Sequence, residues 1–377
     1  MLMDVCKSAL RPLQTSRSEI QYFHRPELDL LRLTAFLMVF VAHTPRFQHL
    51  GWVMEAGGNG VCLFFLLSAF LIAELLMRER DHTHSVHARA YLLRRILRIW
   101  PLYFLAIGLG VAVGKVLPYL HVSPRSIPWL LLFGSNFYIA HYGWELSALG
   151  PLWSLSVEEQ FYLAIPWIIK FDHRHLLREF AICCFPLAYG MLLWFGHTHA
   201  TPNPQVWVNS LVQSQFFAAG ILLALHFHTR GWNIAVWQRL GLLTAGAVIL
   251  VAGQIAGHLH GVAPTSASRL CLGYFMVLLS CIMLFLGFFN MSLRIPRALL
   301  YLGRISYGLY VYHTFFLLIL VYRVNRPSAR QLLLLDLISL GLTVLTASIS
   351  YQCFERPFLR LKQRFTFVTS DKLVEVQ

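Results

Sequence analysis

The chain has 377 residues, 57% of them hydrophobic and only 13% charged, with 31 Lys and Arg against 17 Asp and Glu for a formal net charge of +14. A soluble chain carries nearer about 25% charged residues, and a mean hydropathy of +0.59 excludes an ordinary water-soluble enzyme. The positive balance does not point to nucleic acid, because the basic residues crowd into short loops between apolar segments, as they do where loops face an anionic leaflet.

A polar segment, 1–27, comes first. Ten apolar segments follow that are long enough to cross or nearly cross a bilayer: 28–45, 59–77, 99–117, 152–169, 179–196, 206–225, 236–257, 269–289, 303–322 and 332–354. The stretch Pro128–Ala140 is too short to span and reads as re-entrant or interfacial. The expected fold is all-α: a polytopic membrane bundle of about ten transmembrane helices plus that short segment. Its transmembrane domain covers 28–357, and 358–377 forms a cytoplasmic tail. Loop 78–98 alone holds Arg78, Arg80, Arg89, Arg94, Arg95 and Arg98. The Lys and Arg asymmetry puts both termini in the cytoplasm of a plasma (bacterial inner) membrane. The seven cysteines lie mostly in apolar spans without C-x-x-C spacing, which suits buried thiols better than disulfides or zinc.

Ionisable residues inside spans carry an insertion cost of about 3 kcal/mol each, so they are the first candidates for function. In LDLLRLTAFLMVFVAH, Arg32 and His43 stand eleven steps apart, roughly 16 Å along a helix and on the same side of it. Asp29 can pair with Arg32 at i,i+3, and His43 just before Thr44-Pro45 also fits a plain interfacial histidine. In YLLRRILRIWP, Arg94, Arg95 and Arg98 cluster on one flank, suited to gripping phosphate or lipid headgroups. Glu158 lies about 10–12 Å into the fourth span beside Glu159 and Gln160, as a polar cavity or an interhelical ion pair would require. Ser306, Tyr307, Tyr310 and His313 form a polar stripe on the ninth span, a pattern that interhelical hydrogen bonds also produce. Glu74, near the inner end of the second span, reads as a snorkelling or paired charge.

Together these stretches resemble the acyltransferase-3 family of membrane proteins, which O-acylate cell-surface glycans and some small molecules. The resemblance rests on Arg32…His43, then Gly60 with Phe64, Phe65, Ser68 and Phe70, then Arg94, Arg95, Arg98, Ile99 and Pro101. It continues with Trp153 and Ser156–Phe161, then Leu302–His313 and the closing Glu355–Pro357. The chain departs from the family pattern at Ala69, Leu30 and Ser154, where Gly, Gly and Thr are usual.

The resemblance implies an O-acyltransferase that takes an acyl group, acetyl first among candidates, from cytoplasmic acyl-CoA. The acceptor is a hydroxyl of a cell-surface or lipid-linked glycan. His43 is the expected general base, with Glu158 orienting it and Arg32 steering the donor or stabilising the oxyanion. Arg94, Arg95 and Arg98 are expected on the phosphates of acetyl-CoA. Trp153, Ser306, Tyr307, Tyr310 and His313 are expected on the substrate side. No metal and no nucleic acid enter the scheme, and the partners are membrane lipid and the glycan acceptor. Many members carry an appended esterase-like domain that this chain does not show, which implies direct acylation or a separate glycan-assembly partner. A small-molecule acceptor such as a macrolide or a lipo-oligosaccharide is the alternative substrate. A secondary transporter is the alternative of another class, since polar spans and proline-broken helices fit it too.

Overall fold

The computed structural model describes residues 21–23, 25–44, 51–171, 174–292, 294–321, 324, 328–366 and 368–369. The basic residues Lys7, Arg11, Arg17, Arg46, Arg323, Arg326 and Lys372 lie outside the described residues, as does Cys6. The chain is a helical bundle, with a single two-residue parallel pairing of β1 (Gln21–Tyr22) with β2 (Val368–Thr369) among the described residues.

The helices run in chain order. They begin with α1 (Pro26–His43), α2 (Gly51–Gly57), α3 (Gly60–Thr83) and α4 (Ala88–Val116). Two short helices come next, α5 (Ile127–Leu131) and α6 (Ser135–Tyr142), then α7 (Leu152–Phe171), α8 (His175–His197) and α9 (Ser210–Phe227). The last six are α10 (Val236–Gly257), α11 (Ala267–Phe288), α12 (Arg297–Arg304), α13 (Ser306–Val321), α14 (Ala329–Ser350) and α15 (Arg356–Gln363). Helix α5, the Phe133 turn and α6 confirm that the 128–140 stretch is too short to cross.

Among the described residues, seven helices are long and apolar enough to cross a membrane: α3, α4, α8, α9, α10, α11 and α14. The other three stand where spans were expected. Helix α1 carries Glu27, Asp29 and Arg32, α7 carries Glu158, Glu159 and Gln160, and α13 has only 16 residues. All three contribute to the wall of the main cavity described below. Polar residues at membrane depth are tolerated where they face protein or a water-filled space, so the helices least suited to lipid are the ones that line the interior.

Helix α3 is the hub. It packs on α1, α7, α9 and α11, and Cys62, Leu63, Phe65, Leu66, Leu67 and Phe70 along it are almost wholly buried. Its contact with α9 depends on Gly220, whose absent side chain leaves room for the carbonyl of Leu66. The hairpin α10–α11 and the hairpin α13–α14 flank this centre. Helix α12 lies against α1, with Gly303 so close to the backbone of Asp29 that no side chain fits there.

Helix α4 has 29 residues, roughly 44 Å at helical rise. That exceeds a hydrocarbon core of about 30 Å, so the helix starts outside the core, ahead of the expected 99–117. The 358–377 segment was expected as a tail. Its described part instead folds back onto the bundle: α15 packs on α4, and Phe365 and Thr366 are buried. A short amphipathic helix gains stability by laying its apolar side on a larger neighbour, and α4 offers one.

Candidate functional site

A cavity opens between α1, α3, α4, α7, α13 and the α15 end. Arg94, Arg95 and Arg98 all line it, as the one-flank spacing on α4 requires. Their three heads do different work. Arg94 donates from Nη2 to Glu79 Oε2 at 2.5 Å and from Nη1 to the Phe365 carbonyl at 2.6 Å. Arg95 lies over the rings of Tyr162 and Tyr91, at 5.0 and 5.7 Å from their centroids. Arg98 stands on a wall shared with a second cavity, within electrostatic reach of Glu355.

Glu158 reaches the same cavity from α7. It accepts hydrogen bonds from Ser68 Oγ at 3.1 Å and Tyr162 Oη at 2.8 Å. Arg32 lines the cavity too, tied to Asp29 Oδ1 by a 2.8 Å ion pair. One residue further along α7 the chemistry changes. Glu159 turns to Trp100, whose Nε1 donates at 3.4 Å, and its Oε1 is buried without a partner. Gln160 is structural: its Nε2 bonds the Phe133 carbonyl and Asn136, and its Oε1 accepts from Ser210 at 2.6 Å.

From α13, Ser306, Tyr307 and Tyr310 line the cavity. Tyr307 donates to the Ile99 carbonyl at 2.8 Å, and the Tyr310 hydroxyl lies 2.7 Å from that of Ser154. His313, one turn on, is fully buried behind them. Its Nδ1 is 2.5 Å from the Tyr310 carbonyl and its Nε2 has no partner. Trp153 is also buried, packed edge-on against Phe65 and beside Trp207, and does not line the cavity.

His43 lies outside the cavity as well. Its ring meets His313 edge-on, with centroids 5.0 Å apart, and His313 in turn meets Tyr310 at 5.6 Å. Two ring contacts therefore separate His43 from the cavity wall. The His43 Nδ1 is 2.8 Å from the Val39 carbonyl. That carbonyl can only accept, so Nδ1 carries the proton and Nε2 keeps its lone pair.

Several lining residues were not singled out as site residues from the sequence: Ser68, Glu79, Lys362 and Thr366. Ser68 was named only as part of a family element. Glu79 sits in a charged run, RERD, that reads as solvated. Lys362 and Thr366 follow the last expected span. No metal-binding group of His, Cys, Asp and Glu occurs among the described residues.

The signature of the acyltransferase domain family matches residues 25–352. The chain belongs to the acyltransferase-3 family. Being a member, it is an integral membrane acyltransferase. It is 28% identical over 370 residues to Nodulation protein 10 of Rhizobium leguminosarum bv. viciae, covering 90% of this chain and 94% of that one. It is 23% identical over 372 residues to O-acetyltransferase OatA of Staphylococcus aureus, covering 92% of this chain. The match spans 59% of the staphylococcal protein's own length. No solved structure matches the chain.

Proposed function

We propose that this acyltransferase moves an acetyl group from acetyl-CoA on the cytoplasmic side to a hydroxyl of a cell-surface or lipid-linked glycan. The observation that carries the reading is the single cavity in which three guanidiniums of α4 stand at one end and the Glu158 carboxylate and Tyr310 hydroxyl line the wall. Guanidinium forks suit phosphates, which they hold by paired charge-assisted hydrogen bonds. A thioester arm then runs inward along Phe64, Phe65 and Leu71, an apolar lining that suits an uncharged chain. The name of the staphylococcal relative supports acetyl as the group carried.

In this reading the donor's acyl end reaches the Tyr310 wall of the cavity, and a shift of the Tyr310 and His313 rings that separate them brings it to His43. The Nε2 lone pair takes the proton of the acceptor hydroxyl as its oxygen attacks the thioester carbonyl. The tetrahedral oxyanion collapses, the C–S bond breaks, and the departing thiolate takes the proton back from the imidazolium. Arg32, already oriented by Asp29, steers the donor or balances the developing negative charge. Glu158 keeps the interior polar and favours the protonated imidazole at the moment it forms.

The test is turnover of acetyl-CoA by purified full-length His43→Ala, alongside direct CoA binding. Acetyl transfer is expected to fall by at least about 10²-fold, the contribution typical of a general base, with CoA affinity unchanged. Near-normal turnover rejects the base assignment.

A further inference from the structure

After its last long helix the chain turns back across the arginine end of the cavity. Lys362, in α15, and Thr366, just beyond it, form part of the wall there with Glu79, Tyr91 and Arg94. A short latch holds this segment down. Phe365 is buried with Ala90 of α4 and packed on Leu93 and Leu97, in an apolar cluster separate from the main core. The Phe365 carbonyl accepts from Arg94 Nη1 at 2.6 Å. Farther on, Val368–Thr369 pairs with Gln21–Tyr22. No residue of α15 itself is buried. A segment tied in this way opens more readily than a core helix, because little apolar surface is exposed when it lifts.

Arg94 joins the latch to the site. Its guanidinium is divided between two partners, Nη2 on the Glu79 carboxylate at 2.5 Å and Nη1 on the Phe365 carbonyl. The two are not equal. Glu79 has a side chain only 2% exposed, and parting it from the guanidinium leaves a buried charge uncompensated. The Phe365 carbonyl is neutral, and water replaces Arg94 on it once the segment lifts. An anion that competes for Arg94 therefore displaces the carbonyl and leaves Glu79 in place.

We infer that the end of the chain, from α15 to Thr366, is an autoinhibitory strap. In the resting protein the Phe365 carbonyl occupies the Arg94 fork. Acyl-CoA entering the cavity takes that side of the fork, and the strap lifts. This rests on the donor reading given above. Strap and donor compete for one guanidinium, so each weakens the other by the same factor.

Hydrogen–deuterium exchange of the full chain in phosphatidylcholine nanodiscs, with and without CoA, tests the strap. The amides of Arg364, Phe365 and Thr366 are bonded to the carbonyls of Leu361, Lys362 and Gln363. A helix of eight residues is marginal away from the bundle, so lifting the strap frees these amides. CoA is expected to speed their exchange by about fivefold or more, the low end of ordinary coupling between sites. A ligand that only binds beside the segment slows exchange there. Phe365→Ala is expected to show the fast exchange without CoA and to bind CoA about fivefold more tightly, with Phe365→Leu between it and the wild type. Exchange at 364–366 that CoA slows or leaves unchanged overturns the strap and leaves the donor reading standing. So does a Phe365→Ala protein that binds CoA no more tightly than wild type. Absence of any CoA binding by the wild-type protein overturns both.

Discussion

Arg94 and Arg98 lie one turn apart on the same helix and line the same cavity, yet they differ in what surrounds them. Arg94 is already spoken for by Glu79, whose side chain is only 2% exposed, and by the Phe365 carbonyl. Removing one partner of a buried pair leaves the other charge uncompensated, at about 3 kcal/mol or more. Arg94→Ala is therefore expected to lower Tm by at least several degrees, and Arg94→Ala combined with Glu79→Gln to recover most of that loss. Thermal unfolding of the two variants in detergent checks this. A double variant no more stable than Arg94→Ala would remove the structural role from the pair. The spacing of the three arginines was legible because helical periodicity is local. Their division of labour was not, because Glu79 and the Phe365 carbonyl arrive from 15 and 271 positions away. The same holds for Glu158 and Glu159: adjacent in the chain, they point to different neighbours across a helix, and only the packing on α3 and α4 says which one meets the cavity.

Helix ends show where charge joins the elements. Toward the C-terminal end of α3, Glu74 pairs with Arg78 at 2.6 Å and with His228 at 2.9 Å, so its expectation as a paired charge holds. The other His228 nitrogen lies 2.7 Å from Asp81, so one imidazole just beyond α9 links two carboxylates of α3. Both acceptors lack protons to give, so the ring must donate twice. The Glu74 carboxylate, with Asp81 behind it, holds the His228 proton above the usual 6.5 despite burial. A raised folded pKa stabilises fully below the unfolded value and loses that contribution as pH climbs through the folded one. The Tm of the wild-type protein is expected to fall as pH rises above about 6.5, and His228→Gln to flatten that decline. A His228→Gln variant with the same pH slope would show that another group sets it. Helix α15 makes the opposite point about legibility. Its place after the last apolar run reads as a tail, but docking on α4 brings Lys362 and Thr366 to the cavity, and nothing local to 358–366 announces that contact.

At the scale of the whole molecule, the Lys and Arg asymmetry of the loops leads to the expectation that the α4 arginines face the cytoplasm and the His43 end of α1 faces the opposite side. The orientation is testable by cysteine labelling, because Ser85 and His199 are both exposed in connecting segments outside the spans. Ser85→Cys is expected to react with a membrane-impermeant maleimide only in inside-out vesicles, and His199→Cys only in right-side-out ones. The reverse pattern would put the arginine cluster on the wrong face for a cytoplasmic donor. Hydropathy, charge placement and ordered motifs were enough to establish a membrane bundle of this family, because burial in lipid and the cost of intramembrane charge act on each segment by itself. Which polar residues share a cavity depends on how separate helices cross. Gly303 against Asp29 and Gly220 against Leu66 set crossings that no local pattern encodes. Those crossings brought Ser68, Glu79 and Glu355 to the cavities, kept Trp153 and Gln160 as packing and tether, and left His43 two rings beyond the wall.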